Sequence, residues 1–275
     1  MPGGMTSARK GEPMPSVERS GVVIRYEVDG DGFPLVLLHG LSVDAASWRR
    51  AGYLDALTDR YRCVSIDLRG AGASDKPDLP ALHTIEHYLG DVEGVLEREG
   101  IDEFAVWGFS FGAAIGFAVA ARHARRVRAV VSTGAWDTRP YTLEDIRGTR
   151  ARMDPSETGG MAAMLATWEP DERPALPGWF RTTILDYDHR SWMAARYGAF
   201  GWPEVPISAI TCPTLIIVGS REDPDGEAPA WAAMLPDGRC ETIPERTHCG
   251  TFLATARCLA HAVPFLDNAV PGQVS

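Results

Sequence analysis

The feature that most constrains this chain is the uncharged run over residues 104–121, inside "EFAVWGFSFGAAIGFAVAARH". Its length is about that of a bilayer-spanning helix. Gly108, Gly112 and Gly116 weaken any helix running through the whole of it, and strand-like apolar segments recur before and after it. The other reading divides the run into a strand over residues 103–108, a tight turn at Ser110 and a buried helix from Phe111 onward. That division needs small residues on both sides of the turn, where the glycines stand. The run is therefore expected to be an internal part of a sheet protein and not a membrane segment.

The neighbouring sequence supports the division. "PLVLLHG", "RCVSIDLRG", "VRAVVSTGA" and "PTLIIVGS" are rich in Val, Ile and Leu and bounded by turn residues, the pattern of strands buried on both faces. In "HTIEHYLGDVEGVLERE" the residues Ile85, Leu89, Val92 and Leu96 recur at the spacing of one helix face. Alternating strands and helices predict an α/β fold, a mostly parallel central sheet with helices on both faces. "GVVIRYEVDGDG" reads as an antiparallel start, with "DGDG" as its turn.

Residues 137–206 break the rhythm. They hold no convincing strand, seven prolines, and Trp168, Trp179, Trp192 and Trp202. A polar linker would not carry so many tryptophans, so this stretch is expected to be an inserted helical cap over the sheet's C-terminal edge. The core is expected over residues 18–136 and 207–275, preceded by a loose tail over residues 1–17. The tail, "MPGGMTSARKGEPMPS" and the residue after it, is rich in Gly, Pro and Ser and lacks the apolar stretch of a secretory signal.

Composition narrows the class of partner. A net charge of −10 argues against nucleic acid and against an anionic membrane surface. The five cysteines are odd in number and lack metal-ligand spacing, so they read as free thiols of a reducing cytoplasm. "HTIEH" matches a zinc-protease pattern, but at about 100° per residue His83 and His87 point away from the apolar face, with no third ligand evident. Both are expected to face solvent. Neither a metal nor a cofactor is expected.

"GFSFG" fits G-x-S-x-G, a strand-to-helix turn that exposes a serine hydroxyl at the top of a sheet. A hydroxyl is a poor nucleophile until a base takes its proton. From about Gly21 to its end the chain resembles the α/β-hydrolase superfamily, in the order of several motifs. "LLHGLS" is similar to that family's His-Gly turn after the third strand, and "DLRGAGASDKP" to the loop after its fourth.

The resemblance implies roles. Ser110 would be the nucleophile, and the backbone amides of Leu41 and Phe111 would bind an oxyanion. The base would be His248, in the loop after "ETIPER", rather than His189 in the cap or His261 in the last helix. The acid would follow "TLIIVGS", where "REDP" offers two carboxylates. Asp223 precedes Pro224, as the family's aspartate often does, and is the expected acid, but it falls one residue late. Glu222 holds the usual spacing, and Asp137 follows the sixth strand, a position some relatives use; both stay open.

Members that open epoxides or remove halides carry an aspartate where this chain has Ser110. Members that cleave carbon–carbon bonds in ring-fission products usually have a Gly-Pro-Gly loop after His-Gly, which "HGLSVDAASW" lacks. The resemblance thus implies hydrolysis of a small, fairly apolar ester, lactone or thioester. Trp136, Trp168, Trp179 and Trp192 are candidates for lining its pocket, and Cys249 beside His248 reads as a packing residue. A ligand-binding or sensor protein with little turnover is the alternative.

Overall fold

The computed structural model describes residues 14–135 and 137–270. The expected tail falls mostly outside these residues, as does Trp136; Ser16 and Val17, placed in the tail by sequence, lie in the first strand. The strands are β1 (Ser16–Arg19), β2 (Val22–Asp29), β3 (Phe33–Leu38), β4 (Tyr61–Ile66), β5 (Phe104–Phe109), β6 (Val127–Thr133), β7 (Thr214–Gly219) and β8 (Gly238–Ile243). They form one sheet in the order β1-β2-β4-β3-β5-β6-β7-β8. The pairings β1–β2 and β2–β4 are antiparallel; every other pairing is parallel.

The "DGDG" turn therefore joins strands that are not neighbours, because β4 lies between β2 and β3. The chain doubles back around β3, which leaves a topological switch point between β3 and β5. Parallel sheets bind ligands at the carboxyl ends of strands at such a point. Leu41 follows β3 and Ser110 follows β5, so both oxyanion candidates and the elbow serine open onto it.

The helices are α1 (Ala46–Arg50), α2 (Leu54–Leu57), α3 (Ile85–Glu99), α4 (Phe111–Arg122), α5 (Leu143–Trp168), α6 (Gly178–Leu185), α7 (His189–Ala199), α8 (Glu227–Ala232), α9 (His248–Phe252) and α10 (Thr255–Ala269). The strands' period of two sorts their side chains onto opposite faces. Val36, Val106, Val130 and Ile216 pack with α3, α4 and α8. Leu35, Trp107, Val131 and Leu215 pack with α1, α2, α9 and α10. The predicted stripe of Ile85, Leu89, Val92 and Leu96 is buried in the first of these layers.

The uncharged run divides as its glycines require. β5 ends at Phe109, Ser110 turns the chain with φ 52° and ψ −114°, and α4 starts at Phe111. No helix among the described residues is long and apolar enough to cross a membrane. A Cβ on Gly108 would lie 2.4 Å from Ala113 Cα, and one on Gly112 would lie 2.2 Å from the Leu38 carbonyl oxygen. Backbone therefore packs directly on backbone where β3, β5 and α4 meet.

Between β6 and β7 the described residues hold helices and loops only. α5 begins in a capping box between Thr142 and Asp145 and is broken at Gly160, whose φ is 63° and ψ is −158°. Met153, Met161, Leu165, Phe180 and Trp192 from this segment join the core layer containing Trp48 and Trp107.

Because only a hydrogen fits at position 112, Gly112→Ala is expected to destabilise the fold by about 1–3 kcal/mol. Urea denaturation checks this: the midpoint should fall at an unchanged m-value.

Candidate active site

Ser110 owes its exposure to the turn. A non-glycine residue at φ 52° costs on the order of 1–3 kcal/mol, and the surroundings hold it there. Its amide donates to the Thr133 carbonyl (2.8 Å), while its own carbonyl accepts from the Ala113 and Ala114 amides (2.9 and 3.1 Å). The hydroxyl is thereby aimed away from the helix, and His248 Nε2 lies 2.8 Å from Ser110 Oγ.

His248 opens α9, directly after the loop that follows β8. Its ring lies 5.2 Å from that of Phe109, which stacks on Phe252 at 4.5 Å. On the far side, His248 Nδ1 is hydrogen-bonded to Glu222 Oε1. Gly134 closes this pair from behind: with φ at 69°, a Cβ there would stand 3.1 Å from the imidazole and 3.2 Å from Glu222 Oε1. The Glu222 side chain is 8% exposed and that of His248 40%, so the carboxylate is enclosed and the imidazole is the more open of the two. Burial by itself lowers the imidazole pKa. The adjacent Glu222 carboxylate, with Glu172 further off, outweighs burial and holds it above the ordinary value; Arg196 opposes them.

The acid is where the expectation needs correction. Asp223 does not reach His248: its Oδ1 accepts from the Glu227 amide (2.8 Å) and its Oδ2 from the Ala228 amide (3.0 Å). Both oxygens are committed to the unpaired amides at the start of α8. The Asp-Pro sequence thus marks a helix entry. Glu222, one residue earlier, points across the sheet edge with one methylene more of reach. Asp137 is not beside the imidazole either; its carboxylate accepts from the Arg139 amide (2.8 Å) and pairs with the Arg139 guanidinium.

The two amides expected to face an oxyanion are free of the backbone pairings around them. Leu41 and Phe111 line one cleft with Ser110. The Leu41 turn is braced from below by His39, whose Nδ1–H donates to the Gly40 carbonyl (2.8 Å) while Nε2 accepts from the Leu68 amide (3.0 Å). Burial keeps this imidazole's pKa low and the ring neutral, as that tautomer requires. Asp67 adds a second brace by accepting from the Ala45 and Ala73 amides (both 2.8 Å).

The cleft above Ser110 has a volume of about 670 Å³. Its inner end is apolar, with Leu41, Phe111, Ala114 and Trp202; its outer wall carries Arg139, Arg152 and Arg196. Three tryptophans expected near the substrate are elsewhere. Trp192 is buried with Nε1 donating to Ser42 Oγ (2.7 Å), Trp168 packs on Met164, and Trp179 borders a separate cleft beside Arg50 and Lys76. They lie on helix faces that seat the insertion on the core. Trp202 lies past the end of α7 and crosses Phe111 with ring centres 4.9 Å apart.

His83 also departs from expectation, whereas His87 is part-exposed. α3 starts only at Ile85, so helical geometry does not place His83. It is buried, with its ring nitrogens bonded to Tyr88 Oη (2.8 Å) and the Pro77 carbonyl (2.9 Å). His87 is bonded to Thr84 Oγ1 (2.8 Å). Cys249 is buried, and its thiol is pushed well above its ordinary pKa, chiefly by burial. Sequence reasoning missed Glu172, which is buried and accepts a hydrogen bond from Thr247, next to His248. No local pattern around it signals this contact.

Known proteins share this architecture. The chain is 27% identical over 253 residues to haloalkane dehalogenase 2 of Mycobacterium tuberculosis, covering 82% of this chain and 85% of that one. It is 29% identical over 137 residues to epoxide hydrolase 2 of Siraitia grosvenorii. That match covers 50% of this chain and 43% of the relative, so it spans less than half the relative's length. A thermophilic esterase from Thermogutta terrifontis superposes with a TM-score of 0.81 at 23% identity, covering 93% of this chain and 97% of that one. A family model of the alpha/beta hydrolase fold matches residues 34–254, and the chain belongs to that family.

Proposed function

We propose that this protein is a serine hydrolase of small carboxylic esters, lactones or thioesters, working through an acyl-enzyme. The observation that carries this reading is the unbroken line from Glu222 through both ring nitrogens of His248 to the hydroxyl of Ser110, ending at an elbow turn. His248 takes the Ser110 proton as Oγ attacks the acyl carbon. Glu222 holds the tautomer with Nδ1 protonated and stabilises the imidazolium that forms. The Leu41 and Phe111 amides receive the oxyanion, each such donor being worth on the order of a hundredfold or more. The imidazolium then gives its proton to the leaving oxygen or sulfur. Water, deprotonated by His248, attacks the acyl-enzyme, breaks the Ser110–acyl bond and restores the hydroxyl.

A serine at this position also selects the bond. Attack on an epoxide or an alkyl halide would leave an ether on Ser110, which an activated water does not cleave. Attack on an acyl carbonyl leaves an ester, which it does. The helical segment between β6 and β7 is read as a cap, since its residues form the outer wall of the cleft over Ser110.

A fluorophosphonate probe is expected to label Ser110, located by peptide mass mapping, and Ser110→Ala is expected to abolish p-nitrophenyl ester turnover. No label and no turnover on folded wild type would replace this reading with that of a ligand-binding or sensor protein. A second expectation concerns pH. His248 works as a base only when neutral, and its pKa is held up by Glu222. The acid limb of kcat/KM should therefore lie above the ordinary imidazole value of about 6.5. Glu222→Gln should lower that limb and reduce kcat by about a hundredfold or more. Asp223→Asn should leave the limb in place and cost about 1 kcal/mol through the weakened start of α8.

A further inference from the structure

The cleft's outer wall holds two arginines that form no ion pair among the described residues, beside the carboxylates of Asp137, Glu144 and Asp145. Arg139, on that wall, is paired with Asp137 and Asp145. Arg196 and Arg152 make no ion pair with a carboxylate among the described residues. Arg196, on α7, reaches only the Tyr141 hydroxyl, at 3.4 Å, and its Nε is buried without a hydrogen-bond partner. Arg152, on α5, reaches only Thr149 Oγ1, at 3.3 Å. Glu144 is the carboxylate on the same wall with no basic partner among the described residues, and it is exposed.

Other arginines without a carboxylate partner, such as Arg25 and Arg126, donate to backbone carbonyls, whereas Arg196 and Arg152 reach neutral hydroxyls. Surface arginines such as Arg49, Arg122 and Arg181 are paired. A guanidinium offers five donors in a fixed plane, and leaving a buried one unused costs free energy. Tyr141 and Thr149, neutral hydroxyls at hydrogen-bond distance, hold the two side chains in place without cancelling their charge. Arg196 and Ser110 line the same cleft, so one small molecule can reach both.

We propose that Arg196, supported by Arg152, binds a carboxylate on the substrate, so that this site takes anionic esters, lactones or thioesters whose free carboxylate lies remote from the scissile carbonyl. The inference rests on the serine-hydrolase reading and deepens it. The apolar inner end, under Trp202, takes the hydrocarbon between the two groups. The uncharged ester of the same acid fills that space equally but leaves the arginines unpaired.

The probes are monoethyl adipate and its uncharged counterpart, diethyl adipate. In wild type, kcat/KM should favour the monoester. In Arg196→Met the monoester-to-diester ratio should fall at least about tenfold, the effect of losing one charge-assisted hydrogen bond. Arg196→Lys should recover part of it and Arg152→Met should lose less. Taking the ratio removes any influence of Arg196 on the basicity of His248, because that influence acts on both esters.

Calorimetric binding of monoethyl adipate to Ser110→Ala supplies a readout independent of turnover, and Arg196→Met in that background should weaken it by a similar factor. Arg196-dependent binding without wild-type turnover would keep the anion site and remove the hydrolase reading. Turnover with a ratio indifferent to both arginines would do the reverse. Absence of monoester binding to folded Ser110→Ala overturns the proposal, and Arg196→Gln replaces Arg196→Met if the latter does not fold.

Discussion

The structure depends on one close approach of backbone to backbone. Where β3, β5 and α4 meet, Gly108 rests on Ala113 and Gly112 on the carbonyls of Leu38 and His39, at distances no Cβ could occupy. Between those contacts Ser110 is held at a positive φ of 52°. Phe111, which follows at once, lines the same cleft as Leu41. A single packing constraint thus sets the serine, one expected oxyanion donor and the floor of the cleft. The strain it stores at Ser110 is repaid by a large buried sheet, both faces of which are covered.

The second determinant is electrostatic. His248 reaches Ser110 because three things fix its ring: the Phe109 face beneath it, the absence of a side chain at Gly134 behind it, and the Glu222 carboxylate beyond it. The insertion is tied to the same spot. Thr247, just before His248, accepts from the Arg173 amide (3.0 Å) and donates to Glu172. Gly250 allows the Arg173 carbonyl to lie where a Cβ would come within 2.2 Å of it. The segment that walls the cleft is therefore in direct contact with the loop that carries the histidine, and its placement and that of the imidazole are not independent.

The parts of this arrangement that local pattern controls were legible in the sequence. Strands buried on both faces announce themselves as unbroken apolar runs, and α3 by its stripe from Ile85 to Leu96. The elbow declares itself through glycines, because the need for them is steric and local. The acid was not legible to the same degree. Asp223 and Glu222 are adjacent, and what separates them is which way each side chain turns after β7. That depends on α8 offering two amides to Asp223, a contact made only once the helix has docked. The tryptophans failed for a related reason: Trp168, Trp179, Trp192 and Trp202 are alike in composition terms, and only the path of the chain after α7 brings Trp202 over Phe111. His83 lies two residues before α3 begins, so the helical spacing that orients His87 does not orient it.

The same reasoning explains why the cleft differs in character at its two ends. Its inner end is built by the sheet and α4, where side chains must be small or apolar to allow the close packing on which the turn depends. Its outer wall is built by the chain between β6 and β7, which the sheet's packing does not constrain. Charge is tolerated there because the guanidinium groups of Arg152 and Arg196 border an open cleft rather than a core. In the proposed reaction the division would place bond-making at the end set by the sheet, where a displacement of about 1 Å is costly, and leave recognition to the segment with fewer structural obligations. Polar recognition at that wall also discriminates more sharply than apolar fit, since a missing partner leaves a buried donor unsatisfied, whereas a missing methylene leaves only a small void.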